Sequence, residues 1–332
     1  VKITIYDVAE KAGVSISTVS KVLNKQQVGK KSKEKVLSAM NELNYKPSVL
    51  ASALTGKRTS TIGFLLPDIA NPFVAEMARQ VEDRAHERGY NLVICSTDFR
   101  PEKEEHYVSL LRQKSVDGFI FAGGFKNKNV VEELLKENVP VILLAAESHP
   151  NLTVNTVTVD NFVGGYEIAN YLISQGHKNI AVIAEDATSS QERIRGYKQA
   201  MHDHHLDFQD DLIMISNSSV EHAQKLTEAI LDKPNPPTAI IGANDLLAIG
   251  ILIGAREKNL VIPQDLSITG FDNTLLSKCC DPTLTTVDQP IQSMCSQAVA
   301  ILLAEIEGIH KTRQKIHVLP KLIIRNSTSE VY

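Results

Sequence analysis

The chain has 332 residues, 43% of them hydrophobic and 22% charged, and a net charge of −4. That is the balance of a water-soluble globular protein with too many residues for one ordinary core, and no apolar run reaches the roughly 18 residues of a membrane span. Four cysteines (Cys95, Cys279, Cys280, Cys295) without CxxC spacing exclude a disulfide framework. With a polar start that leaves no room for a signal peptide, they predict a protein of the reducing cytoplasm.

The net charge conceals an asymmetry. Residues 1–58 hold ten Lys and one Arg against Asp7, Glu10, Glu34 and Glu42, a balance of +7, while the rest of the chain carries −11. A basic head on an acidic body predicts that the head meets a polyanion and the body does not. Thr4 and Asp7 have capping-box spacing, so a first helix is expected from about Ile5, with Val8, Ala9 and Ala12 on its apolar face. Gly13 ends it and Ser15 caps a second helix. On that second helix Val19, Val22 and Leu23 fall opposite Ser17, Ser20, Lys21 and Asn24. Ser and Asn are weak helix formers, so this polar face points to a task other than helix stability. A third helix, SKEKVLSAMNELNY, is expected to be capped by Ser32 and to bury Val36, Leu37, Met40 and Leu43. Three short helices that bury one another's stripes have the layout of a helix-turn-helix reader, whose second helix enters the major groove.

The runs TIYDVAEKAGVSISTVSKVLN and KEKVLSAMNELNYKPSVLASALTGKRTSTIG resemble the DNA-binding head of the lactose-repressor (LacI/GalR) family almost residue for residue, and the resemblance continues through the whole chain. It implies that Ile16, Ser17 and Lys21 read bases: Ile16 against a thymine methyl, Ser17 on a base edge, Lys21 on guanine O6 and N7. Many relatives carry Arg at the position of Lys21, and a lysine cannot make the same bidentate fork, so weaker or different discrimination is expected. Thr4, Tyr6, Ser15, Thr18, Ser20 and Asn24 are then phosphate contacts, which set register without reading sequence.

The next stretch, KPSVLASALTGKR (46–58), is too short to be a stable helix alone and carries Leu50 and Leu54 four apart on one face. By itself it reads equally as a flexible linker. The family resemblance makes it a hinge helix that folds on DNA, with Leu50, Ala51 and Leu54 at the minor groove and Leu54 as the wedge between base pairs.

From residue 60 the chain alternates apolar runs (TIGFLLP, NLVICST, GFIFAGG, PVILLAA, NIAVIAE, LIMIS, TAIIGAN, LSITGFD) with amphipathic helical stretches. These runs read as buried strands of parallel sheets with helices on both faces, and their number calls for two lobes. LTTVDQP near 288 and HVLPKLIIR near 318 look like crossovers that return the chain between lobes. The expected organisation is a helix-turn-helix head (1–46), a hinge (47–59) and a core (60–332) like a periplasmic binding protein. Lobe 1 takes about 60–159 and 290–317, lobe 2 about 160–289 and 318–330.

No phosphate loop, dinucleotide fingerprint, GxSxG elbow or HExxH occurs, and HDHH at 202–205 lacks a second ligand cluster, so neither an enzyme nor a metal or cofactor site is expected. Polar residues at strand ends are where open α/β folds bind ligands: Asp68, Asn71 and Phe73, Asp98, Asp160 and Asn161, Asn244 and Asp245, Asp272 and Asn273. Any single Asp or Asn among them serves equally well as a helix cap. The resemblance separates them by implying effector contacts for Arg193 of RIRGY, Asn244 of GAND and Asp272 of GFDN. With Asn71, Phe73, Asp98 and Asp160 they make the expected effector site. A guanidinium beside a carboxylate, against an apolar wall, suits a ring with vicinal hydroxyls, so a carbohydrate-like effector is expected. The implied function is a homodimeric repressor of a pseudo-palindromic operator, controlled by that small molecule. The catabolite-control branch of the family suggests an alternative, a serine-phosphorylated phosphocarrier protein as co-regulator. Against it, no Lys or Arg occurs from Thr283 to His310.

Overall fold

The computed structural model describes residues 3–23, 27–45, 58–149, 151–309 and 312–331, and the chain divides into two compact units, Val1–Thr59 and Ser60–Tyr332. In the first, α1 (Ile5–Ala12), α2 (Ile16–Leu23) and α3 (Lys30–Glu42) share one core of Val8, Ala9, Ala12, Val19, Val22, Val36 and Ala39. The Asp7 carboxylate accepts from both the Thr4 N–H and the Thr4 hydroxyl at 2.7 Å. These bonds hold its pKa below the usual carboxylate range. Gly13 closes α1 at φ 63°, a left-handed conformation that an L side chain resists. Ser15 Oγ then accepts the Thr18 N–H at 3.2 Å at the start of α2.

The third helix departs from expectation. It begins at Lys30 after Gly29, a turn before the expected Ser32 cap, so Ser32 lies inside its first turn. Ala39, not Leu37, completes the buried stripe, and Leu37 is 45% exposed. At 100° per residue Val36, Ala39, Met40 and Leu43 cluster around one direction, and Leu37 falls a quarter turn away.

The second unit holds two parallel sheets. The larger runs β11-β5-β4-β3-β1-β2, comprising β1 (Thr61–Leu66), β2 (Asn91–Ser96), β3 (Gly118–Ala122), β4 (Val141–Leu144), β5 (Asn155–Val159) and β11 (Lys315–Val318). Successive residues of its central strands bury on opposite faces. Ile62, Phe64 and Leu66 meet α4 (Pro72–Glu87) and α12 (Ile291–Ile306), and Leu65, Phe119 and Phe121 meet α5 (Pro101–Gln113) and α6 (Lys128–Lys136). With both faces covered there is no polar side to alternate with, hence the continuous apolar runs.

The smaller sheet runs β7-β6-β8-β9, comprising β6 (Ile180–Glu185), β7 (Ile213–Ser216), β8 (Ala239–Gly242) and β9 (Ser267–Thr269). It is flanked by α7 (Asn161–Ser174), α8 (Thr188–Asp203), α9 (Val220–Leu231) and α10 (Asp245–Glu257). Between the sheets the chain crosses after β5, again between β10 (Thr286–Asp288) and α12, and a third time between β11 and β12 (Lys321–Ile323). β10 and β12 pair antiparallel at that junction. Two runs expected to be buried are edge strands: β2 leaves Val93 and Ile94 each 39% exposed, and β7 leaves Ile215 51% exposed. Apolar content alone does not separate an edge strand from a central one. All four cysteines are free.

Candidate functional sites: a polar helix face and an interlobe cleft

On α2, burial of Val19 and Val22 turns Ser17 and Lys21 outward, and Ile16 stands 42% exposed at the helix start. Ser15 Oγ also pairs with Thr18 Oγ1 at 2.9 Å, and Tyr6 is 67% exposed on α1. Thr4 is exposed and Ser20 half-buried. This is a helix with a dry inner face and an outer face of short hydrogen-bonding groups, one cation and one apolar side chain. Such a set matches base edges and the thymine methyl. Asn24, and Leu50, Ala51 and Leu54, which the sequence reading places in a hinge, lie outside the described residues.

The second candidate site is a cleft between the lobes of about 700 Å³, counting its part open to solvent. The larger-sheet lobe supplies Asn71, Phe73 and Phe99, and the smaller-sheet lobe supplies Glu185, Arg193, Asn244 and Asp272. Asn161 and Gln289 enter from the crossovers. Arg193 depends on a glycine contact between helices. A Cβ on Gly165 of α7 would lie 2.0 Å from the Arg193 carbonyl, and one on Gly196 of α8 would lie 2.0 Å from the Phe162 carbonyl. α8 therefore rests backbone to backbone on α7 and presents Arg193 to the cleft floor. There Arg193 Nε donates to Asn161 Oδ1 at 2.9 Å, Nη1 donates to the Ala243 carbonyl, and the guanidinium lies 3.6 Å over the Phe271 ring.

Asp272 follows β9 at φ 111°, held by its N–H to Val287 O (2.8 Å). Its Oδ1 accepts from Gln289 at 2.6 Å. Strain at a non-glycine residue of this kind persists only where the surroundings fix it, and it concentrates at ligand sites. Burial raises the Asp272 pKa well above the usual carboxylate range and Arg193 opposes that shift. Glu185 at the end of β6 is raised for the same reason, and it accepts hydrogen bonds from Asn244 and Ser218. Burial lowers the Arg193 pKa, with Asp272 and Glu185 working against it.

Several expected residues do two jobs or lie elsewhere. Asn71 lines the cleft and caps α4 through the Phe73 N–H (3.0 Å), and Asn244 lines it and caps α10 through the Leu247 N–H (2.8 Å). Asp98 and Asp160 are not among the lining residues. Asp98 pairs with Lys103, and Asp160 caps α7 through the Val163 N–H (3.0 Å). Their neighbours Phe99 and Asn161 line the cavity instead. Asp245 is structural: it accepts from the Thr274 N–H (2.7 Å), the Thr274 hydroxyl (2.9 Å) and the Thr286 hydroxyl (2.6 Å). Burial pushes its pKa up to about 6. Glu185, Phe99 and Gln289 escaped the sequence reading. Glu185 ends an apolar strand, and Gln289 sits in the LTTVDQP crossover, so both carried the same signal as the residues chosen. Among the described residues no group of three or more His, Cys, Asp or Glu is placed to hold a metal ion, and no helix is long and apolar enough to cross a membrane.

A helix-turn-helix head followed by two parallel-sheet lobes around a polar cleft defines a DNA-binding regulator with a core of the periplasmic-binding-protein kind. The description "Bacterial regulatory proteins, lacI family" matches residues 4–48 and "Periplasmic binding protein-like domain" matches residues 169–328. The chain is similar to the HTH-type transcriptional regulator DegA of Bacillus subtilis (strain 168), 43% identical over 99% of this chain and 98% of that one. It is also similar to the lac repressor dimer bound to operator and the anti-inducer ONPF, at 27% identity, TM-score 0.87, over 99% and 100% of the two chains. The transcriptional regulator CelR–cellobiose complex matches at 26% identity, TM-score 0.76, over 98% and 99%. The chain belongs to the LacI family of transcription regulators and is not an enzyme.

Proposed function

We propose that this regulator is a cytoplasmic repressor that binds a pseudo-palindromic operator as a homodimer and is controlled by a carbohydrate held in the interlobe cleft. The observation that carries the cleft reading is Arg193 beside Asp272 and Asn244, walled by Phe73. It offers donors, acceptors and an apolar face together, as a ring bearing vicinal hydroxyls requires. The similar regulator solved with cellobiose supports that class of ligand. Ile16, Ser17 and Lys21 read bases; Thr4, Tyr6, Ser15, Thr18, Ser20 and Asn24 hold phosphates; Leu50, Ala51 and Leu54 act at the minor groove. The exposed Val93 and Ile94 on edge strand β2 support a second copy covering that side. The stretch from Thr283 to His310 offers no basic residue for a phosphoserine, which favours the carbohydrate over a phosphocarrier partner.

Selection from random duplexes at moderate salt tests the DNA reading, and the absence of any preferred sequence overturns it. Sugar titrations with and without the selected duplex test the coupling, which thermodynamics requires to be reciprocal. Equal sugar affinity in both would end the control model. Leu54→Ala is expected to weaken operator binding with sugar affinity unchanged, and an unaltered operator Kd removes Leu54 from the hinge role.

A further inference from the structure

The charges lining the cleft do not balance. Among the described lining residues, Asp68, Glu185 and Asp272 stand against one cation, Arg193. Arg193 gives its Nε–H and an Nη1–H to neutral oxygens, those of Asn161 and Ala243. The two deep carboxylates in turn take their hydrogen bonds from neutral donors: Asp272 from Gln289, Glu185 from Asn244 and Ser218. The helix N-termini at the cleft, capped by Asn71 and Asn244 through the Phe73 and Leu247 N–H groups, contribute partial positive charge but no full counter-charge. Lys126, on the surface adjoining the mouth, donates to the Asp186 carbonyl at 3.0 Å and lies 3.4 Å from its carboxylate. Two buried carboxylates that share one guanidinium leave a negative charge uncompensated, which is unfavourable, and a ligand that closes this cleft removes the water that screens it.

We propose that the effector carries a protonated nitrogen beside its hydroxyls, as in an amino sugar, with Glu185 as the counter-charge and Arg193 and Asp272 on the hydroxyl side. The proposal rests on the carbohydrate reading and deepens it. An added phosphate or carboxylate on the ligand would instead meet two carboxylates against a single guanidinium, so the cleft selects against anionic sugars. Phe73 and Phe99 line the opposite wall and bring no charge that would favour an anion.

The test uses the full chain and three matched series: glucose, galactose and mannose, their 2-amino derivatives, and their 6-phosphates, each titrated calorimetrically. At least one amino sugar is expected to bind tenfold or more tighter than its hydroxyl parent, and its phosphate not at all. Glu185→Gln is expected to bring the amine-to-parent ratio down toward one. Glu185→Ala serves as the second variant if the amide folds poorly. Parent sugars or phosphates binding as tightly as the amines overturn the proposal and leave the carbohydrate reading standing. An amine preference that survives both substitutions removes Glu185 as the counter-charge. Binding by no member of any series overturns the carbohydrate reading and this proposal with it.

Discussion

Arg193, Asp272 and Glu185 are each individually unfavourable where they sit, and the guanidinium is what makes the two carboxyls tolerable. Burial pushes the two carboxyls up and the guanidinium down; Arg193 draws both carboxyls back toward ionisation, while Glu185 pushes Asp272 further up. Removing the cation leaves both buried carboxyls without an opposing charge, so they hold their protons more firmly. The sign with pH follows. A carboxyl whose folded pKa is raised binds more protons in the folded than the unfolded state, so its contribution to stability falls as pH rises. Arg193→Ala is therefore expected to cost most above neutrality and less near pH 5, where its former partners take up protons; urea titrations at the two pH values check it. Asp245 makes the same point with a narrower window. Its pKa, pushed up to about 6 from an ordinary 3.8, makes the wild type lose stability as pH climbs between those values. The amide in Asp245→Asn does not titrate but gives up part of the three-donor set from Thr274 and Thr286. Its deficit is expected to shrink by about 1–3 kcal/mol across that window, at roughly 1.4 kcal/mol per unit of pKa. A constant deficit would show that Asp245 titrates as it does in the unfolded chain.

Among the elements, α8 is the one whose placement decides the cleft. RIRGY contains both the functional group and the reason it arrives in the right place: Arg193 faces the cavity, and Gly196, nearly one turn on, is the contact at which α8 touches α7. Gly196→Ala puts a methyl 2.0 Å from the Phe162 carbonyl, so the helices must separate. A loss of about 1–3 kcal/mol is expected. Sugar affinity should fall with it, because Arg193 moves with the helix, while operator binding in the absence of sugar persists. The parallel strands are legible in the sequence from their apolar runs. The start of α3 was not, because Ser32 is a good cap by type but Gly29 supplies the extended residue from which the helix turns. The edge position of β2 was not legible either, since strand order is set by which helices cross the sheet. Within the head, Lys21→Ala is expected to cost about 1–3 kcal/mol of discrimination at one base pair, read by competition between matched and mismatched duplexes. Its effect on folding should be small, because Lys21 is exposed on α2.

At the scale of the whole core, three crossings make the lobes discontinuous, and the cleft sits where they meet. Strand ends are legible in the sequence as a group, but which of two neighbours lines the cavity is not: Phe99 lines it and Asp98 does not, and Asn161 lines it and Asp160 does not. The same facing arrangement sets one ion pair across the mouth. Lys126, after β3 in one lobe, reaches Asp186, after β6 in the other, at 3.4 Å from its carboxylate and 3.0 Å from its carbonyl. Both side chains are substantially solvated, so the pair is worth about 0–1 kcal/mol, which shifts an open–closed equilibrium by at most about fivefold. That is small for stability and large enough for a switch balanced near even populations. Lys126→Glu sets two like charges across the mouth and is expected to favour the open form: a larger radius of gyration in solution scattering and faster sugar release. Combining it with Asp186→Lys restores an opposite-charge pair and should return both readouts toward wild type, more fully at low salt than at high. Scattering curves that superimpose for all three proteins would place lobe closure under the control of the buried floor alone, with Arg193 bonded to Asn161 at the crossover as the contact that sets it.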